Sequence, residues 1–357
     1  MKDLGGISLK IMRDTTTKQG LPLLSICIPT FNRARYLENC LESIRYSLGE
    51  SNLRVEICIS DNSSVDNTSG VVALASHTLP LKYRRNIVNL GMAQNFLDVV
   101  AMAKGDYVWL IGDDDLLMPD GIGKLLRLID EYPEADFFYV NANHLNANHL
   151  DNYSHPFNID NLPASMERFS KAPSSRLLNF FELVSPEVSF DFLGGIFLSV
   201  FRRDKWMQST YVLNAAALKS PATFSHFDNT FPHLIIWANA FHSSRAFLNT
   251  DPLIVCITGV REWAPMSPMI MSVRLPEALR IYRECGMGWW RYTYCMNYAL
   301  RNFSADLVNM LLHRKVYKFQ LPLAKIIISS LPYPNTYLSV LYFFVRKIRN
   351  LVSAQSL

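Results

Sequence analysis

Charge is thin in this 357-residue chain: Asp, Glu, Lys and Arg make up 18% of it, against 49% hydrophobic residues. Disorder needs the opposite balance, so an unfolded chain is excluded. The net charge of +4 is too small to point to nucleic acid. No Cys-x-x-Cys pair occurs among the cysteines at 27, 40, 58, 256, 285 and 295. Cys27 and Cys58 sit inside apolar runs and read as small core residues of a reducing compartment, not as a disulfide or zinc framework. The first twenty residues carry charges throughout and lack an apolar h-region, which excludes a secretory signal. The longest uncharged stretch, 326–345, is broken by Pro332, Pro334 and Asn335 and makes a poor spanning helix. A cytoplasmic protein is expected. There is no Gly-x-x-x-x-Gly-Lys-Ser/Thr loop, and Gly121-Ile122-Gly123 lacks the third glycine of a dinucleotide site.

What is present is alternation. LLSICIPT (23–30) is a short apolar run ending at a proline, a buried strand meeting a loop. Leu37, Cys40, Leu41, Ile44 and Leu48 recur at helical spacing, predicting a helix over 34–48. Strands follow at 53–60, around 82–85, at 106–112 and at 135–142, with helical patterns at 71–76, at 92–103 and after Pro119. Strands alternating with helices predict an α/β fold, a mostly parallel sheet flanked by helices. Ligands in such sheets gather beyond the carboxyl ends of the strands. Three polar clusters fall there: 29–33, 60–64 and 112–115. After residue 142 the pattern loosens. NANHL occurs twice in succession (141–145 and 146–150), with His144 and His149 expected in a solvated loop; 192–203 reads as a strand, helix follows Pro232, and 253–259 is a further strand.

Asp113, Asp114 and Asp115 are the sharpest feature. Three adjacent acids at the end of an apolar strand repel one another and call for a cation. Mg²⁺ or Mn²⁺ takes one or two protein carboxylates together with phosphate oxygens, so a diphosphate substrate would suit the site.

The run Pro29-Thr30-Phe31-Asn32-Arg33, the run Ser60-Asp61-Asn62-Ser63-Ser64, Asn89-x-Gly91-x-x-x-Asn95 and Gly112-Asp113-Asp114-Asp115-Leu116, in this order over residues 21–142, closely resemble the family 2 glycosyltransferases of GT-A fold. Within that family the flavour is that of bacterial O-antigen sugar transferases, including abequose-type ones. The resemblance implies a Rossmann-like nucleotide-diphospho-sugar transferase fold over 21–265. Its nucleotide-sugar half would be 21–142 and its acceptor half 143–265, between an N-terminal tail (1–20) and a helical, basic C-terminal region (266–357). It implies that Pro29, Thr30 and Asn32 line the nucleotide pocket with Arg33 nearby, and that Asp61 accepts a hydrogen bond from the base. Asn89 and Gly91 would shape the loop beside the donor. Asp114 takes the place of the main metal-binding acid and Asp113 of a ribose or metal contact. Gly112 stands where many members have an acid, which leaves Asp113 or Asp115 as second contributor.

The family's general base lies near a helix start about one hundred residues past the metal motif. Asp228 fits by position, His233 could orient it or reach the metal, and Asp191 and Glu187 are reserves. Arg261-Glu262-Trp263 follows the last clear strand, and Arg261 and Trp263 could hold the leaving diphosphate or the acceptor. The implied activity is inverting transfer of a sugar from a nucleoside diphosphate sugar to an acceptor hydroxyl, in O-antigen or other surface-polysaccharide assembly on a lipid-linked acceptor. Nucleotidyl transfer and a non-catalytic sugar-binding role stay open as alternatives. Residues 301–357 carry eight Lys or Arg against Asp306, a +7 segment that leaves −3 for the rest. Together with Ile326–Ile328, Leu338, Leu341, Phe343 and Phe344, and with Arg346, Lys347 and Arg349 closing it, this predicts peripheral docking at the inner membrane face in two short pieces.

Overall fold

The computed structural model describes residues 20–49, 51–220, 222–259, 264–317 and 319–354. Arg261, Glu262 and Trp263 lie outside the described residues, as does nearly all of the expected N-terminal tail. The first half alternates as its apolar spacing dictates: β1 (Leu24–Thr30), α1 (Ala34–Leu48), β2 (Val55–Asp61), α2 (Thr68–Ala75), β3 (Leu81–Arg85), α3 (Met92–Met102), β4 (Tyr107–Leu110), a two-residue β5 (Leu116–Leu117) and α4 (Gly121–Glu131). Every residue of β1, β2 and β4 is buried, so both faces of this part of the sheet are covered. β1 pairs in parallel with β2 and β4, and β2 with β3. Their carboxyl ends therefore lie together, with Thr30 beside Asp61.

The second half adds β6 (Ala135–Asn146), β7 (Glu167–Arg168), β8 (Arg176–Asn179), β9 (Ser199–Arg202) and β10 (Arg245–Thr258). The strand order is β3-β2-β1-β4-β9-β6-β10-β5, with β7 on β6 and β8 on β10. β6 and β10 are parallel, whereas β9 enters between β4 and β6 antiparallel to both. The sheet is thus mixed. Residues 147–198 supply only 3₁₀ turns and two short strands, no crossover α-helix, so β9 returns from the opposite end. Two expectations shift here. The first NANHL copy continues β6, with the His144 ring 5.0 Å from that of Phe169, and the second forms a 3₁₀ turn in which His149 Nε2 meets the Asn161 carbonyl at 3.0 Å. The strand expected over 192–203 shrinks to β9, because Phe192 and Leu193 take left-handed backbone (φ 52° and 75°) and residues 196–198 form a 3₁₀ turn.

The remaining helices are α5 (Arg203–Ser209), α6 (Ala215–Leu218), α7 (Pro232–Phe241), α8 (Ser267–Met269), a π-helical turn (Ile270–Arg274), α9 (Leu275–Glu284), α10 (Trp289–Ala299), α11 (Phe303–Leu312), α12 (Leu323–Ser330) and α13 (Pro334–Ala354). Leu279 and Tyr282 of α9 and Met296 of α10 belong to the same core as the sheet. A second, smaller cluster (Ile270, Val273, Phe303, Met310, Ile326) ties α11 and α12 to the π-helical turn. Among the described residues, no helix is long and apolar enough to cross a membrane.

Candidate active site

The acid cluster hangs from the end of β4. Thr30 Oγ1, at the end of β1, donates to Asp113 Oδ2 at 2.7 Å. Arg33, in the loop after β1, donates from Nε to Asp113 Oδ1 at 2.8 Å and from Nη2 to Asp114 Oδ2 at 2.7 Å. Its guanidinium also lies 4.5 Å above the Tyr36 ring. Burial pushes the Asp113 carboxyl up to about 7, against the opposing pull of Arg33, with Asp114 adding to the rise. In the protein alone, then, the cation that three adjacent acids require is Arg33. Asp115 turns back on the chain, its Oδ2 accepting from the Gly112 N–H at 2.8 Å.

The other strand ends form a hydrogen-bonded ledge. Asp61 is fully buried: its Oδ1 accepts from the Ser64 N–H (2.8 Å), and its Oδ2 from the Tyr83 hydroxyl (2.6 Å) with Arg85 Nε at 3.7 Å. This carboxylate braces the loop after β2 and holds Tyr83. In this structure the carboxylate is turned into the protein, bracing the Asx-type turn of a Ser/Asn-rich loop. Asn32 adopts left-handed backbone (φ 54°), and its Oδ1 accepts from the Val65 N–H (2.7 Å) while its own N–H donates to Ser64 Oγ (2.8 Å). Asn89 Oδ1 accepts from Asn62 Nδ2 and from the Gly91 N–H, both at 2.8 Å. Gly91 precedes α3 at φ 87°, a conformation that favours glycine. Pro29 is buried within β1. These residues converge at the carboxyl ends of β1–β3, one strand over from the acids.

Beside the acids lies a cavity of about 220 Å³. Gly112, Asp114 and Asp115 form one wall, and Asp191, from a loop some eighty residues on, joins them. The rest is mostly apolar, with Phe169, Phe190, Phe197 and Phe231 prominent. The Asp191 loop is bent by the left-handed Phe192 and Leu193, bulky residues for which such backbone costs about 1–3 kcal/mol. Both are fully buried, which offsets that strain. The Tyr282 hydroxyl donates to the Phe192 carbonyl (3.1 Å), His233 Nε2 meets the Gly194 carbonyl (3.1 Å), and Ser189 Oγ donates to Asp191 Oδ1. His233 is 1% exposed, and burial holds its imidazole down at about 3, hence neutral near pH 7. With Nε2 carrying the proton toward Gly194, Nδ1 is an acceptor with no protein partner, in a side chain that lines the cavity.

Asp228 does not take the place expected of it. It sits in a turn four residues ahead of α7, its Oδ1 accepting from the Asn214 N–H at 2.6 Å, and Thr230, Phe231 and His233 are the residues this segment gives the cavity. His233 accordingly orients the Asp191 loop rather than Asp228. Glu187 is held by Ser185 and by the Tyr294 hydroxyl (2.5 Å) and does not line the cavity. The aromatic wall carries no sequence motif.

The acids fit a hard divalent ion. A Cβ built on Gly112 would lie 2.7 Å from Asp114 Oδ1 and 3.0 Å from Asp115 Oδ2, so the acids fold tightly over the backbone at a position only glycine tolerates. Among the described residues no group of three or more His, Cys, Asp or Glu is placed to hold a metal ion, so Asp114 and Asp115 would need ligands from outside the protein to complete a site. One or two carboxylates completed by phosphate oxygens and water is the pattern of Mg²⁺ and Mn²⁺ at phosphate sites.

Acids and polar loops gathered at adjacent strand ends of an α/β sheet make a ligand-binding crevice at the sheet's carboxyl edge. The glycosyl transferase family 2 model matches residues 25–186. The chain is 31% identical over 245 residues to the abequosyltransferase RfbV of Salmonella typhimurium, an alignment covering 66% of each protein. It is 33% identical over 107 residues to a chondroitin synthase of Pasteurella multocida, 30% of this chain and 11% of that one. Residues 1–349 of TarS from S. aureus superpose with a TM-score of 0.54 at 16% identity, covering 86% of this chain and 78% of that one. The same protein in complex with UDP gives 0.52 at 14%, covering 84% and 75%. At such identity these two likenesses speak for the fold alone. This chain belongs to glycosyltransferase family 2, with a GT-A-type α/β fold, and within the family it is similar to an O-antigen transferase.

Proposed function

We propose that the protein transfers a sugar from a nucleoside diphosphate sugar to a hydroxyl of a lipid-linked oligosaccharide, in assembly of a bacterial surface polysaccharide of the O-antigen kind. The observation that carries this is the convergence of Asp114, Asp115 and Asp191 on one cavity beside the β1–β3 ledge. The nucleotide lies along that ledge, over Pro29, Thr30, Asn32, Asn89 and Gly91, with Asp61 bracing it from beneath. Asp114 and Asp115 would hold Mg²⁺ or Mn²⁺, a group that would supply positive charge against the departing diphosphate. Asp113, braced by Thr30 and Arg33, fixes the acid loop, and Arg33 is poised to shift from Asp114 toward phosphate. Asp191 takes the proton of the acceptor hydroxyl as it attacks the anomeric carbon, with inversion there. His233 Nδ1 accepts a hydroxyl of the sugar or acceptor.

The helical C-terminal region docks on the inner face of the membrane. Ile328, Leu341 and Phe344 are 66%, 60% and 58% exposed, and α12 and α13 are two pieces broken before Pro334. Ile326 is the exception, buried in the second core cluster. The side chains of Arg346, Lys347 and Arg349 lie outside those described. Arg261 and Trp263, outside the described residues, stay assigned to diphosphate or acceptor by position alone.

The test is a thermal-shift and hydrolysis screen of UDP-, GDP-, CDP- and dTDP-sugars with Mn²⁺. One donor at a hundredfold its Kd should stabilise the protein by about 2.7 kcal/mol and be slowly hydrolysed. No shift and no hydrolysis with any of them overturns the reading.

A further inference from the structure

A second cavity, of about 350 Å³, lies between α9 and α12. Its floor is apolar: Phe227, Val273, Ile281, Met296, Leu300 and Ile326. Three charged side chains also line it, Glu277, Arg280 and Lys325. Glu277 is paired with Arg274 at 2.5 Å, and Arg274 also donates to the Phe224 and Ser225 carbonyls. Arg280 and Lys325 have no acidic partner among the described residues. Ser272 gives its hydroxyl to Asp306 (2.5 Å), and Ser329 and Ser330 give theirs to backbone carbonyls of α12. The hydroxyls are therefore committed, and two cations, the exposed Lys325 and the half-buried Arg280, stand at the rim of an apolar chamber.

This chamber backs onto the candidate active site. The run 270–276 separates them: Ile270, Met271 and Leu275 face the acid-lined cavity, while Ser272, Val273 and Pro276 face the second one. Apolar walls with two unpaired cations suit a ligand that is both greasy and anionic. A bare anion would leave the floor unused, and a neutral lipid would make no use of the two rim cations. We propose that the cavity between α9 and α12 seats the first part of the apolar chain of an anionic amphiphile whose phosphate or diphosphate head is held by Arg280 and Lys325. That this amphiphile is the lipid end of the acceptor rests on the function proposed above; the binding itself does not.

Farnesyl diphosphate, below its micelle concentration and without divalent ions, is the probe, titrated into the full chain by calorimetry beside inorganic diphosphate and farnesol. Farnesyl diphosphate should bind at least about tenfold tighter than either part, a difference of about 1.4 kcal/mol. Arg280→Gln with Lys325→Gln, and separately Ser329→Trp to fill the chamber, should each weaken it about tenfold or more while leaving the melting temperature and the nucleotide-sugar shift unchanged. Equal binding of the probe by wild type and both variants overturns the site. So does binding of inorganic diphosphate or farnesol as tight as that of the probe. A chain that binds the probe but no nucleotide sugar would sink the transferase reading and leave this site standing. One that binds nucleotide sugar but not the probe would do the reverse.

Discussion

The acid cluster and the chamber beside it are built from opposite materials. At the strand ends the acids and amides are tied to the protein, Thr30 and Arg33 on Asp113, Ser64 and Tyr83 on Asp61, Asn62 on Asn89, although Ser60 Oγ and Asn95 Oδ1 are left without a partner among the described residues. In the chamber beside the acids the walls are mostly phenylalanine and aliphatic side chains, and His233 Nδ1 is the polar atom there with no partner among the described residues. Dense pairing fixes geometry and neutralises charge, which a diphosphate and a metal demand; it leaves little to distinguish one sugar from another. An apolar wall holding few polar groups does the reverse: each hydroxyl it admits needs one of them, so it sorts ligands by shape and hydroxyl pattern. On the proposed function the ledge would hold the nucleotide, the aromatic wall of the chamber would select the sugar, and the acids between them, Asp114, Asp115 and Asp191, would carry the chemistry.

The hardest blow to that division would come at Asp114. Asp114→Asn removes the carboxylate shared by Arg33 and the proposed ion, and transfer should fall below detection, by about a thousandfold or more, the scale on which a metal's charge stabilisation acts. The melting temperature without metal should hardly move, because Arg33 keeps Asp113. Near wild-type turnover in the presence of EDTA would remove the metal from the acid cluster altogether.

Next comes the choice of base. Asp191→Asn should lower kcat by about 10²–10⁴-fold with donor affinity unchanged, whereas Asp228→Asn should change kcat by no more than about twofold. The reverse pattern would return the base to the turn before α7 and empty the chamber of its acid.

These two acids also mark the limit of what the sequence discloses. The first half is legible because its chemistry is local: an apolar run ends, the polar residues follow at once, and parallel neighbours bring those ends together. Thr30, Asp61 and Asp113 could be placed by that logic alone. The partner that each side chain meets could not, so the role of Arg33 as the cluster's own cation, and the burial of Asp61, emerge only from the packing. In the second half the cavity draws on β4, the loop at 189–198, α7, β10 and the π-helical turn, segments far apart in the chain. Asp228 matched a positional habit; Asp191 faces the site because Phe192 and Leu193 adopt backbone that no spacing rule predicts for them. The antiparallel β9 was hidden for a related reason, since only the absence of a crossover helix in 147–198 reveals it.

Arg33→Met tests the neutralisation. Arg33 is 17% exposed on its side chain, so the loss should be below the roughly 3–5 kcal/mol of a fully buried pair, about 1–3 kcal/mol by urea unfolding without divalent ions. Mn²⁺ should then stabilise the variant more than it does the wild type. A variant indifferent to Mn²⁺ would mean that guanidinium and ion do not share the cluster.

A last test separates the two cores by their titrations. His233, in the wall of the chamber, has a folded value near 3 against 6.5 unfolded. Between those values the unfolded chain holds one more proton, so stability rises with pH by up to about 1.4 kcal/mol per unit and is lost on acidification. Asp306, in the C-terminal helices, has the opposite sign: burial lifts it from 3.8 to about 6, the folded chain holds the extra proton, and its contribution falls as pH rises through that window. Between about pH 4 and 6 the two slopes should largely cancel in the wild type. His233→Gln should expose the Asp306 slope, making the variant gain on the wild type as pH falls from 6.5 and level off above 7. Asp306→Asn should steepen the acid loss instead. Urea unfolding at pH 4.5, 5.5, 6.5 and 7.5 reads both differences. A His233→Gln difference that stays constant across that range would show an imidazole titrating alike in the folded and unfolded chains, and the chamber wall would then be wet rather than closed around it.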